Sequence, residues 1–191
     1  MARICVFAGA SAGARETYGK AARELGAGIA LRGHGLVYGG ASCGLMGACA
    51  DAALAGGAHV IGVLPHALVS REIAHSGLSE MRIVESLHER KAAMSALADA
   101  FVALPGGCGT MDELFEAITW AQLGLHEKPI GLLDADGYFA PLLALLEHMG
   151  AEGFVRPPLR LVRAEGAGEL LDALLSAPPA SVSPPGPRPR P

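Results

Sequence analysis

Cysteine is sparse: Cys5, Cys43, Cys49 and Cys108 are the four in 191 residues. No two form a CxxC pair and none stands at ligand spacing from a histidine. That argues against a zinc site or a disulfide framework and fits a reducing compartment. The seven histidines contain no HExxH and no paired metal spacing, so no metal is expected. Aromatic residues are 5% of the chain, too few for a sheet that stacks RNA bases. No apolar run reaches the roughly 18 residues that a membrane helix needs. The apolar start at Ile4 is too short for a signal peptide, although Ala10-Ser11-Ala12 imitates a cleavage site. The expected location is therefore cytoplasmic. An excess of positive charge is also missing: 15 Lys and Arg face 19 Asp and Glu, for a net charge of −4. Nucleic acid and anionic membranes are thus excluded as general partners, and any bound anion must be held by a local site.

Glycine, by contrast, is abundant. The chain has 26 glycines without a Gly-X-Y period, so they serve turns and close backbone approaches. Hydrophobic residues are 51% and charged residues 18%, which is enough apolar surface for one core. The expected organisation is a single domain over 1–177 and a disordered tail over 178–191. The tail holds seven of the 13 prolines and no core-building pattern.

Short apolar runs alternate with helical periodicity along the whole domain. Strands are expected at 4–8, 36–38, 58–64, 82–84, 101–104, 130–133 and 159–162. Helices are expected at 15–31, 45–54, 86–97, 110–123, 139–149 and 167–175. Ser86 and Glu89 are placed to form a capping box. This order predicts an α/β protein, Rossmann-like and three-layered, with a mostly parallel sheet and helices on both faces.

Three glycine-rich turns fall where strands end and helices begin. They are Gly9 to Gly13, Gly39 to Gly44, and Pro105-Gly106-Gly107-Cys108-Gly109-Thr110. In a parallel sheet that edge is the ligand-binding edge. Glycine admits close approach, and the helix beginning at Thr110 would offer unpaired N–H groups to a phosphate. No Gly-Lys-Ser/Thr and no GxGxxG is present, so these are neither a Walker A loop nor the usual dinucleotide fingerprint. Tight turns alone would also explain each loop. Asp112 and Glu113 fit the first turn of that helix, where an acid favours the dipole. A carboxylate beside a phosphate cradle otherwise suits a sugar hydroxyl or a developing cation. Arg90 and Lys91 stand together on the preceding helix, as a binding pair or as a solvated patch.

The residues from Pro105 to Glu113 resemble the PGGxGTxxE motif of the LOG ("Lonely Guy") family. His88-Glu89-Arg90-Lys91 resembles the family's M-H-x-R-K segment, and Tyr38-Gly39-Gly40 through Gly44-Leu45-Met46-Gly47 resembles YGGGxxGLMG. Thr119 to Gly124 resembles the helix after the motif. The resemblance spans roughly residues 3 to 176. It implies a Rossmann-like homodimer that hydrolyses the N-glycosidic bond of cytokinin riboside 5′-monophosphates, with no cofactor. It further implies Arg90 and Glu113 as the catalytic pair, with Glu72, Lys91, Gly106, Gly107, Gly109, Thr110 and Thr119 binding the substrate nucleotide. Leu87, Ala10, Ala41 and Asp112 depart from the family pattern.

Cleavage of a ribosyl–nitrogen bond proceeds through an oxocarbenium-like sugar. Glu113 fits the stabilisation of that charge, and Arg90 a positional or electrostatic role. Met94, Leu97, Met111 or residues across a dimer interface are candidates to line a pocket for a prenyl group. The alternatives are a general purine monophosphate hydrolase and a non-catalytic nucleotide or molybdenum-cofactor carrier. A lysine decarboxylase would need a cofactor-anchoring lysine, and Lys91 fits better as a binding cation. Cys108 as a nucleophile lacks a placeable histidine partner.

Overall fold

Seven short strands, buried on both faces near the centre, build one parallel sheet. The structure is a computed structural model and describes residues 1–69, 74–155 and 160–176. The strands are β1 (Arg3–Phe7), β2 (Gly35–Tyr38), β3 (Val60–Pro65), β4 (Glu80–Val84), β5 (Ala100–Ala103), β6 (Ile130–Leu133) and β7 (Leu161–Ala164). The helices are α1 (Glu16–Leu31), α2 (Gly44–Ala55), α3 (Leu87–Leu97), α4 (Cys108–Gln122), α5 (Ala140–Ala151) and α6 (Ala167–Ser176). Two 3₁₀ turns, His66–Leu68 and Ala135–Gly137, complete the described elements.

The sheet order is β4-β3-β2-β1-β5-β6-β7, and every pairing is parallel. Side chains alternate along each strand between two cores. Ile4, Val6, Leu36 and Tyr38 face one core with Leu25 and Ile29 of α1, Cys49 of α2 and Leu170 of α6. Cys5, Phe7, Val37 and Phe101 face the other with Met94 of α3, Leu114 and Ile118 of α4, and Phe139. This is the expected three-layer α/β architecture.

The chain winds outward from β1 to β4 in one direction, and from β5 to β7 in the other. The crossover through α3 brings it back to the centre. β1 and β5 pair there, with Ile4 beside Ala100 and Phe7 beside Ala103. The loops leaving these two strands diverge to opposite faces and open a crevice at their carboxyl ends.

Several boundaries differ from the sequence reading. α4 begins at Cys108, two residues before Thr110, so Asp112 and Glu113 fall beyond its first turn. The Ser86 hydroxyl accepts from Glu89 N–H at 3.1 Å, as a cap should. The Glu89 carboxylate, however, takes the N–H of Glu85 at 2.9 Å, one residue outside a true capping box. β7 runs through Ala164, beyond the expected end at residue 162, because Ala164 remains paired with Leu133. Glu72 and the tail over 178–191 lie outside the described residues.

Candidate active site

A cleft of about 500 Å³ occupies the crevice between β1 and β5. Its walls come from the first loop (Ala8 to Ser11 and Gly13), the third loop (Pro105 to Gly107, Gly109 and Thr110), and the side chains of Arg90, Glu113, Tyr18 and Tyr138. Leu45 and Met46 add apolar surface.

The three glycine loops do different work. The second loop braces the first. Leu45 N–H donates to the Gly9 carbonyl at 2.9 Å, and Met46 N–H to the same oxygen at 3.3 Å. Gly44 has φ +60° and lies so close to the Ala10 backbone that a Cβ there would overlap it. The first-turn N–H groups of Leu45 and Met46 are therefore satisfied by protein, leaving that helix end with little for an anion.

The third loop is different. Gly106 is held by packing, since a Cβ there would overlap the Thr110 side chain and come within 2.9 Å of Gly9 N. At Gly107 and Gly109 a Cβ would meet nothing within 4 Å. Gly107 is the N-cap of α4, in extended backbone. The amides of Cys108, Gly109 and Thr110 thus form the first turn of a 15-residue helix. They have no carbonyl of their own helix to bond, and the dipole adds partial positive charge. Backbone N–H groups bordering open space suit a phosphate.

Arg90 and Glu113 meet across this cleft. Arg90 Nη2 lies 3.5 Å from Glu113 Oε1, with the side chains 10% and 11% exposed. Two helices that pack on the same face of the sheet, α3 and α4, bring them together. Gly39 makes room for the arginine, because a Cβ at that position would overlap Nη2. Arg90 Nε is buried and has no hydrogen-bond partner among the described residues. Beneath the pair lies Cys5. Burial first, and then the Glu113 carboxylate, push its thiol well above the ordinary range, against the opposing pull of Arg90 and Lys128. Cys5 is therefore a neutral core thiol.

Lys91 does not line the cleft. Its Nζ is bound at 2.9 Å by both Asp112 and Glu116, and its side chain is 11% exposed. Burial alone would pull the ammonium down. Hydrogen bonds to Glu116 and Asp112 outweigh that and hold its pKa above the ordinary lysine value. Glu116 lies one turn after Asp112 on α4 and thereby shares the lysine with it. Thr119 is exposed on α4 and lies away from the cleft lining. Cys108 is exposed at the first position of α4. Met94 is buried, and Leu97 and Met111 pack against the same core, so none of the three lines this cleft.

Tyr138 is the main residue that sequence reasoning missed. Its hydroxyl donates to the Gly106 carbonyl in a short hydrogen bond, and its ring lines the cleft. The signal was thin: a Gly-Tyr-Phe run after β6, resembling the start of a helix.

A family model described as "Possible lysine decarboxylase" matches residues 46–172. The probable cytokinin riboside 5′-monophosphate phosphoribohydrolase LOGL1 of Oryza sativa subsp. japonica is 54% identical over 171 residues, covering 88% of this chain and 77% of that protein. The chain belongs to the LOG family. A cytokinin riboside 5′-monophosphate phosphoribohydrolase of Arabidopsis thaliana is 50% identical over 174 residues, covering 90% of this LOG-family chain and 82% of that protein. The fold is also shared with the molybdenum cofactor carrier protein of Chlamydomonas reinhardtii. There the TM-score is 0.70 and the identity 23%, covering 92% of this chain and 99% of that one. At that identity the likeness is one of fold.

Proposed function

We propose that this chain hydrolyses the N-glycosidic bond of cytokinin riboside 5′-monophosphates, giving the free base and ribose 5-phosphate. The observation that carries this reading is the Arg90–Glu113 pair facing the open end of α4 in one cleft. Identity of about half to enzymes named for that reaction supports it.

The 5′-phosphate sits on the first-turn amides of α4, against Gly107 and Gly109, with Thr110 closing the loop. That remote contact aligns the sugar and supplies binding energy for the reacting bond. The ribose C1′ then lies near Glu113, whose carboxylate stabilises the positive charge that develops as the base departs. Water adds at C1′ with Glu113 placed to accept its proton, the leaving nitrogen takes a proton from solvent, and Glu113 returns its own to solvent, so that one water is consumed in all. A guanidinium is a poor proton donor at neutral pH, so Arg90 acts by position and charge. It orients Glu113 and offers its remaining N–H groups to the substrate.

Decarboxylation through a lysine Schiff base is disfavoured by where the lysines stand. Lys91 is held charged by two carboxylates, Lys20 pairs with Glu24 at 3.7 Å, and Lys128 donates to the Ser95 carbonyl at 2.6 Å. None of them lines the cleft.

The unit of function in this reading is a homodimer in the cytoplasm. Leu87 on α3 and Leu123 just beyond α4 are 55% and 68% exposed, apolar surface that a second copy can cover. Glu72, Lys91 and Thr119 keep a role toward substrate where a second copy completes the site. Sedimentation velocity tests this point, and a monomer at micromolar concentration would contradict it.

The test of the activity is to incubate the protein with isopentenyladenosine 5′-monophosphate and, separately, with AMP. Free base and ribose 5-phosphate are followed by chromatography. Preferential release of isopentenyladenine is the expected result. Faster release of adenine would make the protein a general nucleotide hydrolase. Binding without product would favour a carrier.

A further inference from the structure

We infer that Tyr138 is a positioning residue for this site: it clamps the Gly106–Gly107 peptide so that the anion-binding face of the third loop stays turned toward the ligand. The inference rests on the phosphate reading of that loop.

The sequence Pro105-Gly106-Gly107 is poor at holding one conformation. Two adjacent glycines let the peptide between them rotate with little steric cost. Gly107 has no neighbour that a Cβ would touch, so packing does not fix its side of the peptide. In a trans peptide the C=O and the following N–H point in opposite directions. Fixing the Gly106 carbonyl therefore also fixes the direction of the Gly107 N–H. A flipped peptide would turn a carbonyl oxygen toward the anion in place of a donor.

Tyr138 supplies the missing constraint. Its hydroxyl donates to the Gly106 carbonyl from 32 residues away in sequence. The tyrosine is itself well anchored. Its ring packs edge-on against Tyr18 at 5.7 Å and Phe139 at 5.1 Å. Fully buried Asp134 accepts the Phe139 N–H at 2.7 Å and is paired with Arg163 at 2.6 Å. The intervening turn is a committed one, with Asp136 at φ +53° and Gly137 at φ +70°. The connection after β6 thus holds the loop after β5 in one orientation.

The test is Tyr138→Phe, which removes the donor and keeps the ring. Wild type and variant are titrated calorimetrically with ribose 5-phosphate and, separately, with N6-isopentenyladenine. Neither ligand is turned over. The clamp predicts about three- to tenfold weaker binding of ribose 5-phosphate, in line with loss of one hydrogen bond. Binding of the base should be unchanged. Equal weakening of both ligands, together with a lowered Tm, would make Tyr138 merely structural. Unchanged ribose 5-phosphate binding would also overturn the inference. If wild type itself fails to bind ribose 5-phosphate, the phosphate reading of the loop is what fails.

Discussion

Gly39 lies directly against the Arg90 guanidinium, with no room for even a methyl group between its Cα and Nη2. The end of β2 thereby sets the height at which the arginine reaches Glu113. Gly39→Ala is expected to push Arg90 off its position and lower kcat by about tenfold or more, since small misplacements in a site carry large penalties. Overpacking should also lower stability by about 1–3 kcal/mol. Turnover of isopentenyladenosine 5′-monophosphate and Tm, measured together, check both effects. Full activity in a folded variant would show that the arginine's placement does not matter.

Glu113→Gln keeps the shape of the side chain and removes its charge. It should lower kcat by about a hundredfold or more while circular dichroism stays unchanged. Arg90→Lys keeps a positive charge but loses the planar fork, and should also be strongly impaired. Near-normal rates in both variants would sink the assignment of this pair.

The glycines of the third loop should separate cleanly. Gly106→Ala collides with Thr110 and is expected to destabilise the fold by about 1–3 kcal/mol. Gly109→Ala meets open space in the first turn of α4, at a backbone conformation alanine can adopt, and should stabilise by about 0.4–1 kcal/mol through the less free unfolded chain. Its Tm should rise, while the added methyl narrows the approach to the α4 amides and weakens ribose 5-phosphate binding. Denaturant unfolding and calorimetry read the two opposite signs. Equal effects at both positions would contradict the division between a packing glycine and an open one.

His126 provides a pH dependence. Its Nδ1 accepts the Lys128 N–H at 3.1 Å, and its Nε2 faces the Ala117 carbonyl at 3.0 Å. Burial chiefly, and Lys128 in part, hold its pKa below the ordinary histidine value, against the effect of the Ala117 bond. His34, which accepts the Ala2 N–H at 3.2 Å, is lowered too, by burial first and then by the N-terminal charge and Arg32. A folded pKa below the unfolded one means that the folded state binds fewer protons. The stability is therefore present above about pH 6.5 and declines as pH falls through that value toward the folded pKa. His126→Asn keeps an acceptor near Nδ1 without the titration, and should flatten the decline. Urea midpoints between pH 5 and 8 measure it, and an unchanged slope would count against His126 as a source.

The alternation of strand and helix was legible because the inner strands are buried on both faces and the helices on one. β6 matches its expected span of 130–133, being four apolar residues between Pro129 and Asp134. α4 was misread at its start because Gly107-Cys108-Gly109 looks like a turn. A helix begins there because its first N–H groups need no partner within the helix. The motif residues were legible by resemblance, but their division of labour was not.

The sequence by itself determined the alternating order, the apolar strands and the residues available at the ligand-binding edge, because periodicity and glycine placement are local. The tertiary structure decided which of those residues meet. It paired Arg90 with Glu113, spent the α2 amides on Gly9, and engaged Lys91 with Asp112 and Glu116 outside the cleft. It also brought Tyr138 to the Gly106 carbonyl. Each of these is a contact between residues far apart along the chain, fixed by how two helices or two loops pack on one sheet, and no local pattern encodes such a distance.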